Sequence, residues 1–273
     1  MTDTAQIAEA YDAARELEWE RLVHDALGEI EFALTTDLLA RHIDSAAAVV
    51  DIGSGPGRYA EHLLRRGCRV GLVDLSAKSL ERFHTWTGGA YAEQVLFTRV
   101  GCATQLDDLA AETFDAALLM GPLYHLTTAA ERRAAVAAVR RLLKPGGHVI
   151  ASFISPYPRL RRLLEADGRR LQDGSYIAAL VAGGTTHTTA PGTVVPQHRC
   201  WPHEARALME EGGFHTLCMR NLEGIAHALT ESEQRLLADD GRRAAYYAVL
   251  RETCENPDLL GATIHFAYGM PQQ

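Results

Sequence analysis

The chain has 273 residues, 47% of them hydrophobic, enough to fill one core without a second domain. A formal net charge of −8 argues against a surface that tracks phosphates, so nucleic acid is not expected as a partner. No apolar run is long enough to span a bilayer. The opening MTDTAQIAEAYD has neither a basic nor an apolar segment, and five cysteines never form C-x-x-C. These features predict a cytoplasmic protein with reduced thiols, off the membrane, acting as a monomer or homodimer.

Taken in chain order, residues 5–43 read as continuous helix, with Tyr11, Ala14, Trp19 and Leu22 on one face. AAAVVDIG (46–53) is a short apolar run closed by a carboxylate and a glycine, as in a buried parallel strand. A glycine-rich turn and a helix over 58–67 follow, then a strand over 69–74 and a helix over 76–86 opened by Ser76 as N-cap. Strands are predicted over 95–101, 114–121 and 148–155, with a helix over 127–147 closed by Pro-Gly-Gly. Strands alternating with helices predict a doubly wound, mostly parallel α/β sheet.

Beyond 155 the alternation stops. A helix-like stretch containing RRLLEADGRR (161–170) reads as a solvated face, and GGTTHTTAPGTVVPQH follows as a polar, turn-rich segment. A helix with Pro202 in its first turn covers 201–214, and strands near 215–222 and 262–269 flank a helical insert at 231–255. The chain thus divides into a helical cover (1–45), a ligand-binding core (46–155), a lid insertion (156–200) and C-terminal helices and strands (201–273), all in one domain. An insertion at the carboxyl edge of such a sheet suits a substrate cover.

The chemistry concentrates in Asp51-Ile-Gly53-Ser54-Gly55-Pro-Gly57, with a strand before it and a helix after. Glycines allow a tight turn and close approach to a ligand. A dinucleotide fingerprint would need glycine at 58, where this chain has Arg58, and the leading acid would repel a pyrophosphate. That acid suits an ammonium instead. Asp74, at the end of the second strand, stands where a carboxylate meets ribose hydroxyls; alone, it reads equally as a turn or cap residue.

VVDIGSGPGRYAEHL, VGLVDLS, FDAALLMGPLYHL and RLLKPGG in that order resemble the class I S-adenosylmethionine (SAM)-dependent methyltransferases, closely over 46–155 and loosely over 201–224. The resemblance implies a Rossmann-like seven-stranded sheet with a reversed last hairpin and helical lid insertions. SAM would lie across Gly53, Ser54, Gly55, Gly57 and Arg58, with its ribose on Asp74 and its adenine beside Leu75 and the Cys102-Ala103-Thr104 loop. Met120 and Gly121 would border the sulfur, and S-adenosylhomocysteine (SAH) would be the product. Where such enzymes carry an acid in the third loop, this chain has Cys102, which leaves the backbone of Ala103 and Thr104, or Gln105 or Asp107, to meet the adenine amino group.

The resemblance further implies methylation of a small organic acceptor at O, N or C, in the manner of natural-product tailoring. Its pocket is expected beside Gly121-Pro122-Leu123-Tyr124-His125, with Tyr124 bordering the acceptor. His125 reads as a general base, or equally as a residue that caps or packs. Tyr11 and Trp19 are candidates to face the sulfonium, or else a packing stripe, and Glu18, if buried, is a second candidate base. His187, His198, Cys200 and His203 lack the spacing of a metal set, so no metal is expected. Two other readings remain: a SAM-binding regulator without turnover, which would share every cofactor motif, and an NAD(P)-dependent oxidoreductase, which Arg58 disfavours.

Overall fold

Apolar runs bounded by turn residues become inner strands because both of their faces are covered, and the computed structural model shows how. It describes residues 3–24, 26–157, 160, 171–190, 193–224, 235, 237–262 and 265–271. The N-terminal segment forms two helices, α1 (Asp3–His24) and α2 (Ala26–His42), where one was predicted. A Cβ at Gly28 would strike the Arg21 carbonyl, so glycine lets the second helix fold back against the first. The core follows as β1 (Ala48–Ile52), α3 (Arg58–Arg65), β2 (Arg69–Asp74), α4 (Ala77–Thr87), β3 (Val95–Val100) and β4 (Phe114–Leu119). Next come α5 (Pro122–His125), α6 (Ala129–Leu142) and β5 (Leu143–Ile154).

The main sheet runs β3-β2-β1-β4-β5, all parallel, and continues into β9 (His265–Pro271) and β8 (Cys218–Asn221), each antiparallel to its neighbour. Successive strand residues point to opposite faces, so each strand serves two cores. Val50, Ile52, Ala117, Leu119 and Val149 pack with Val136, Val139 and Met209 of α6 and α8 (Pro202–Glu211). Val49, Val70, Leu72, Leu118 and Ile150 pack with Leu38, Leu63, Leu64 and Phe83 of α2, α3 and α4. Truncating any of these buried leucines to alanine removes roughly 2–5 kcal/mol. This is the predicted doubly wound sandwich. Strand order reverses between β1 and β4, which opens a crevice at the carboxyl ends of the strands.

The predicted Ser76 N-cap accepts from the Ser79 N–H, and Thr128 with Glu131 forms a reciprocal capping box on α6. The helix predicted over 127–147 stops at Leu142. Lys144 precedes a proline, which disfavours helical backbone, and it pairs with Asp115 at 2.6 Å, starting β5 early. The polar stretch after α7 (Gly174–Val181) is a hairpin, β6 (Gly184–Ala190) and β7 (Thr193–Arg199), not an irregular lid. Its threonines and valines favour strands on either side of the Pro-Gly. Of the helical insert, α9 (Asp240–Thr253) is described, and a short 3₁₀ helix (Pro257–Ala262) follows it. The solvated stretch 161–170 lies outside the described residues. Among those described, no helix is long and apolar enough to cross a membrane.

Candidate functional site

The crevice is floored by the turn from β1 into α3. Gly53, Gly55 and Gly57 all take left-handed backbone, with φ of 74°, 53° and 86°. Their reasons differ, which corrects the expectation that all three yield to a ligand. A Cβ on Gly53 would lie 2.5 Å from Pro122 Cδ, and one on Gly57 would strike the Phe83 ring, so protein packing demands both. One on Gly55 would meet no protein atom within 4 Å. Only there does the turn open on free space.

Two acids stand beneath and beside this turn. Asp51 is 1% exposed and its Oδ2 has no hydrogen-bond partner. Burial, and then the neighbouring Asp74, push its carboxyl up to about 8. Asp74 lines the crevice; its Oδ2 accepts from the Gly55 N–H at 2.7 Å and its Oδ1 from the Ser76 N–H at 2.7 Å. Burial lifts Asp74 to about 6 against those two donors. Both carboxyls are thus held reluctant to ionise, a state that a cationic ligand would relieve. An orphaned buried carboxylate oxygen beside a glycine cradle fits the ammonium-bearing end of SAM, with Asp74 free to accept more hydrogen bonds on its remaining lone pairs.

Ser54, Leu75, Cys102, Ala103, Met120 and Gly121 also line the crevice, as does Arg58. The Arg58 guanidinium is turned toward α1, where its Nε donates to the Trp19 carbonyl at 2.8 Å. Thr104 does not line the crevice; its hydroxyl sits 3.2 Å from Cys102 Sγ. Gln105 and Asp107 are exposed and do not line the crevice.

The other end lies under α1. Here His125 is buried, and its Nδ1 stands 3.1 Å from the Pro196 carbonyl of β7. A carbonyl only accepts, so Nδ1 carries the proton and Nε2 keeps its lone pair. The Tyr11 hydroxyl, 2.7 Å from Nε2, therefore donates to it. Burial pulls His125 down to about 4, outweighing the Pro196 contact, so the ring is neutral at physiological pH. Burial likewise raises the Tyr11 hydroxyl well above its ordinary value. Tyr124 lines the same end, its ring 4.8 Å from that of His125.

Glu18 also lines this end, yet it is 32% exposed and paired with Arg21 Nε at 3.2 Å, so it is not a buried base in waiting. Sequence reasoning missed Arg21, Tyr59 and Glu31. Arg21 is held by Glu31 through both terminal nitrogens, and the Tyr59 hydroxyl donates to Glu31 at 3.3 Å. Burial opposes the Arg21 charge, but Glu31 and then Glu18 outweigh it and raise its pKa well above the usual value. The spacing of Glu18 and Arg21, one turn apart, was the available signal for Arg21. The Pro196 carbonyl carried none.

Trp19 does not line the crevice. Helical geometry turns it about 80° from Tyr11, while Glu18 and Leu22 stay within about 20° and line the crevice with it. The Trp19 ring instead packs 4.7 Å from Trp86 and carries the Arg58 guanidinium 3.5 Å above its centroid. With Ser76 Oγ donating to Asp12 at 2.6 Å and Arg82 paired with Glu16 at 2.8 Å, these contacts pin α1 across the crevice. His198 is half-buried, and the side chain of His187 lies outside the described residues. Among those described, no group of three His, Cys, Asp or Glu side chains is placed to hold a metal.

A family model described as a methyltransferase domain matches residues 50–151. The ubiquinone biosynthesis O-methyltransferase of Xanthomonas oryzae pv. oryzae (strain PXO99A) is 32% identical over 157 residues, 55% of this chain and 59% of that protein. The like-named protein of Xylella fastidiosa (strain M23) is 27% identical over 210 residues, 74% of each chain. The chain thus spans 59% of the length of the Xanthomonas oryzae relative. Among solved structures, the Burkholderia thailandensis 1,6-didemethyltoxoflavin-N1-methyltransferase, with 1,6-didemethyltoxoflavin and SAH bound, aligns at a TM-score of 0.60 and 17% identity. That alignment covers 99% of this chain and 87% of the other, and shows a shared fold. The matched segment runs from β1 into β5 and holds the turn, Asp51 and Asp74; over it the chain is similar to the class I SAM-dependent methyltransferases.

Proposed function

We propose that this protein moves the methyl group of SAM onto a small organic acceptor held between α1 and α5, in the tailoring of a natural product. The observation that carries the reading is that one crevice joins the glycine-rich turn, through Gly53, Ser54 and Pro56, and Asp74 to the Tyr11–His125 pair. At the first end, Asp51 receives the ammonium, Asp74 accepts from the ribose hydroxyls, and Leu75, Cys102 and Ala103 flank the adenine. Met120 and Gly121 border the sulfur.

SAM supplies an electrophilic methyl that an in-line nucleophile displaces, leaving SAH. The chain then has three tasks: to align the acceptor, to keep water out, and to receive a proton. Tyr11 and His125 suit the third. An acceptor hydroxyl or N–H can donate to the Tyr11 oxygen while the Tyr11 proton moves to His125 Nε2, and Pro196 holds Nδ1–H throughout. Tyr11 is thus assigned to the acceptor, not to the sulfonium face expected of it, and His125 acts behind it. Names among the relatives include an O- and an N-methyltransferase, and the same arrangement serves either atom.

Incubation with methyl-labelled SAM and a panel of phenols, enols and aromatic amines tests this. Label in an acceptor with one equivalent of SAH is expected. Tight SAM binding with no transfer across the panel would favour a regulator instead.

A further inference from the structure

The acceptor end of the crevice has a charge pattern that selects among small molecules. Among the described residues two cations line the crevice, Arg21 and Arg58, and both are committed. Arg58 stacks on Trp19 and lies 3.6 Å from Glu61. Arg21 gives its Nε to Glu18 and both terminal nitrogens to Glu31, which is 6% exposed and cannot swing away into water. Two carboxylates against one guanidinium leave this cluster with one net negative charge. His125 adds no positive charge, because its lone pair already accepts from Tyr11. The rest of this end offers the rings of Tyr11, Tyr59 and Tyr124 beside apolar side chains, and its one further charged group among the described residues, Glu131, is another carboxylate. A carboxylate or phosphate brought here would find no unpaired cation among the described residues and would be repelled by Glu18.

We infer that the acceptor is a neutral or cationic ring compound bearing an O–H or N–H for Tyr11, and that acceptors carrying a carboxylate or phosphate are rejected. The inference rests on the methyltransferase reading. Aromatic walls supply contact area to a ring, and a cation over a tyrosine face gains further attraction. Glu18 then acts as a specificity determinant, supplying the excess negative charge that repels an anion from the Arg21–Glu31 pair.

Three probes of matched shape test this on the whole protein saturated with SAH: 4-hydroxyphenethyl alcohol, tyramine and 4-hydroxyphenylacetate, with binding followed by calorimetry. SAH affinity is measured first, and failure to bind SAH would overturn the methyltransferase reading itself. With SAH bound, the alcohol and amine are expected to bind at least about tenfold more tightly than the acid. Glu18→Gln should narrow that gap several-fold by removing the excess negative charge beside the Arg21–Glu31 pair, with SAH affinity unchanged. Equal or tighter binding of the acid to the wild type would overturn the inference. So would a gap that Glu18→Gln leaves untouched, or binding of none of the three while SAH is held.

Discussion

The two ends of the crevice are built in different ways. The cofactor end comes from consecutive residues: Asp51 to Gly57 and Asp74 to Ser76 sit on adjacent parallel strands, and backbone bonds such as Gly53 N to Val73 O at 2.8 Å lock the turn onto β2. The acceptor end gathers distant segments. Tyr11 meets His125 across 114 positions, and His125 meets Pro196 across 71. The first end depends on local geometry and tolerates almost no side chain. The second depends on α1 being held down, and its chemistry comes from side chains that can be exchanged singly. Substitutions should therefore separate the two ends, affinity for SAM following one and turnover the other.

The sharpest separation lies within the turn itself. Gly55→Val fills the open cradle and should weaken SAM binding by roughly 100-fold or more, from collision plus the strain of a β-branched residue at positive φ. Gly57→Val meets Phe83 instead and should cost about 3 kcal/mol or more in stability, seen as a lowered melting temperature. If Gly57→Val lowered only SAM affinity, or Gly55→Val only stability, the assignment of the two glycines would be reversed.

At the other end, Tyr11→Phe and His125→Asn should each lower kcat about 10²-fold while SAM affinity stays near that of wild type. The double variant should fall no further than the worse single one, because the two act as a unit. A melting-temperature loss with kcat within a few-fold would reduce His125 to a packing residue. Since burial holds His125 at about 4, wild-type activity should not decline through the ordinary histidine range as pH falls.

The pH dependence of the two ends should also oppose. Asp51, pushed up from 3.8 to about 8, holds a proton in the fold that it would lose when unfolded, so its share of stability is lost as pH rises from 3.8 toward 8. His125, pulled from 6.5 to about 4, does the reverse, and its share is lost as pH falls from 6.5 toward 4. Binding of cationic SAM near pH 7 should therefore release a fraction of a proton from Asp51, measurable by calorimetry in buffers of different ionisation enthalpy. Proton uptake would contradict this. The smallest expected effect is Thr128→Ala, which removes the α6 cap and should cost about 1 kcal/mol while both ends of the crevice behave as wild type.

What the sequence made legible follows the same division. Val49, Val50 and Leu72 announced buried strands because both of their faces are covered, and Ser76 and Asp74 announced their positions because caps and strand ends are local. The Lys144-Pro145 strand start and the β6–β7 hairpin also had local signals, overridden in reading by helical periodicity and by the density of turn residues. The partner of His125 had no such signal. Its tautomer and low pKa depend on burial by α1 and β7, segments that no spacing rule connects. Trp19 was misplaced because the apolar stripe of α1 is wide, with one edge facing the ligand and the other facing Arg58 and Trp86.

The account turns on SAM lying across β1 and β2 with its ribose on Asp74, and titration of the wild type and of Asp74→Asn with SAM tests this most directly. The wild type should bind, and the variant, its fold checked by circular dichroism, should bind about 2 kcal/mol more weakly, because a charge-assisted acceptor is replaced by a neutral one. Wild type that fails to bind SAM, or a folded variant that binds it equally well, would contradict the assignment.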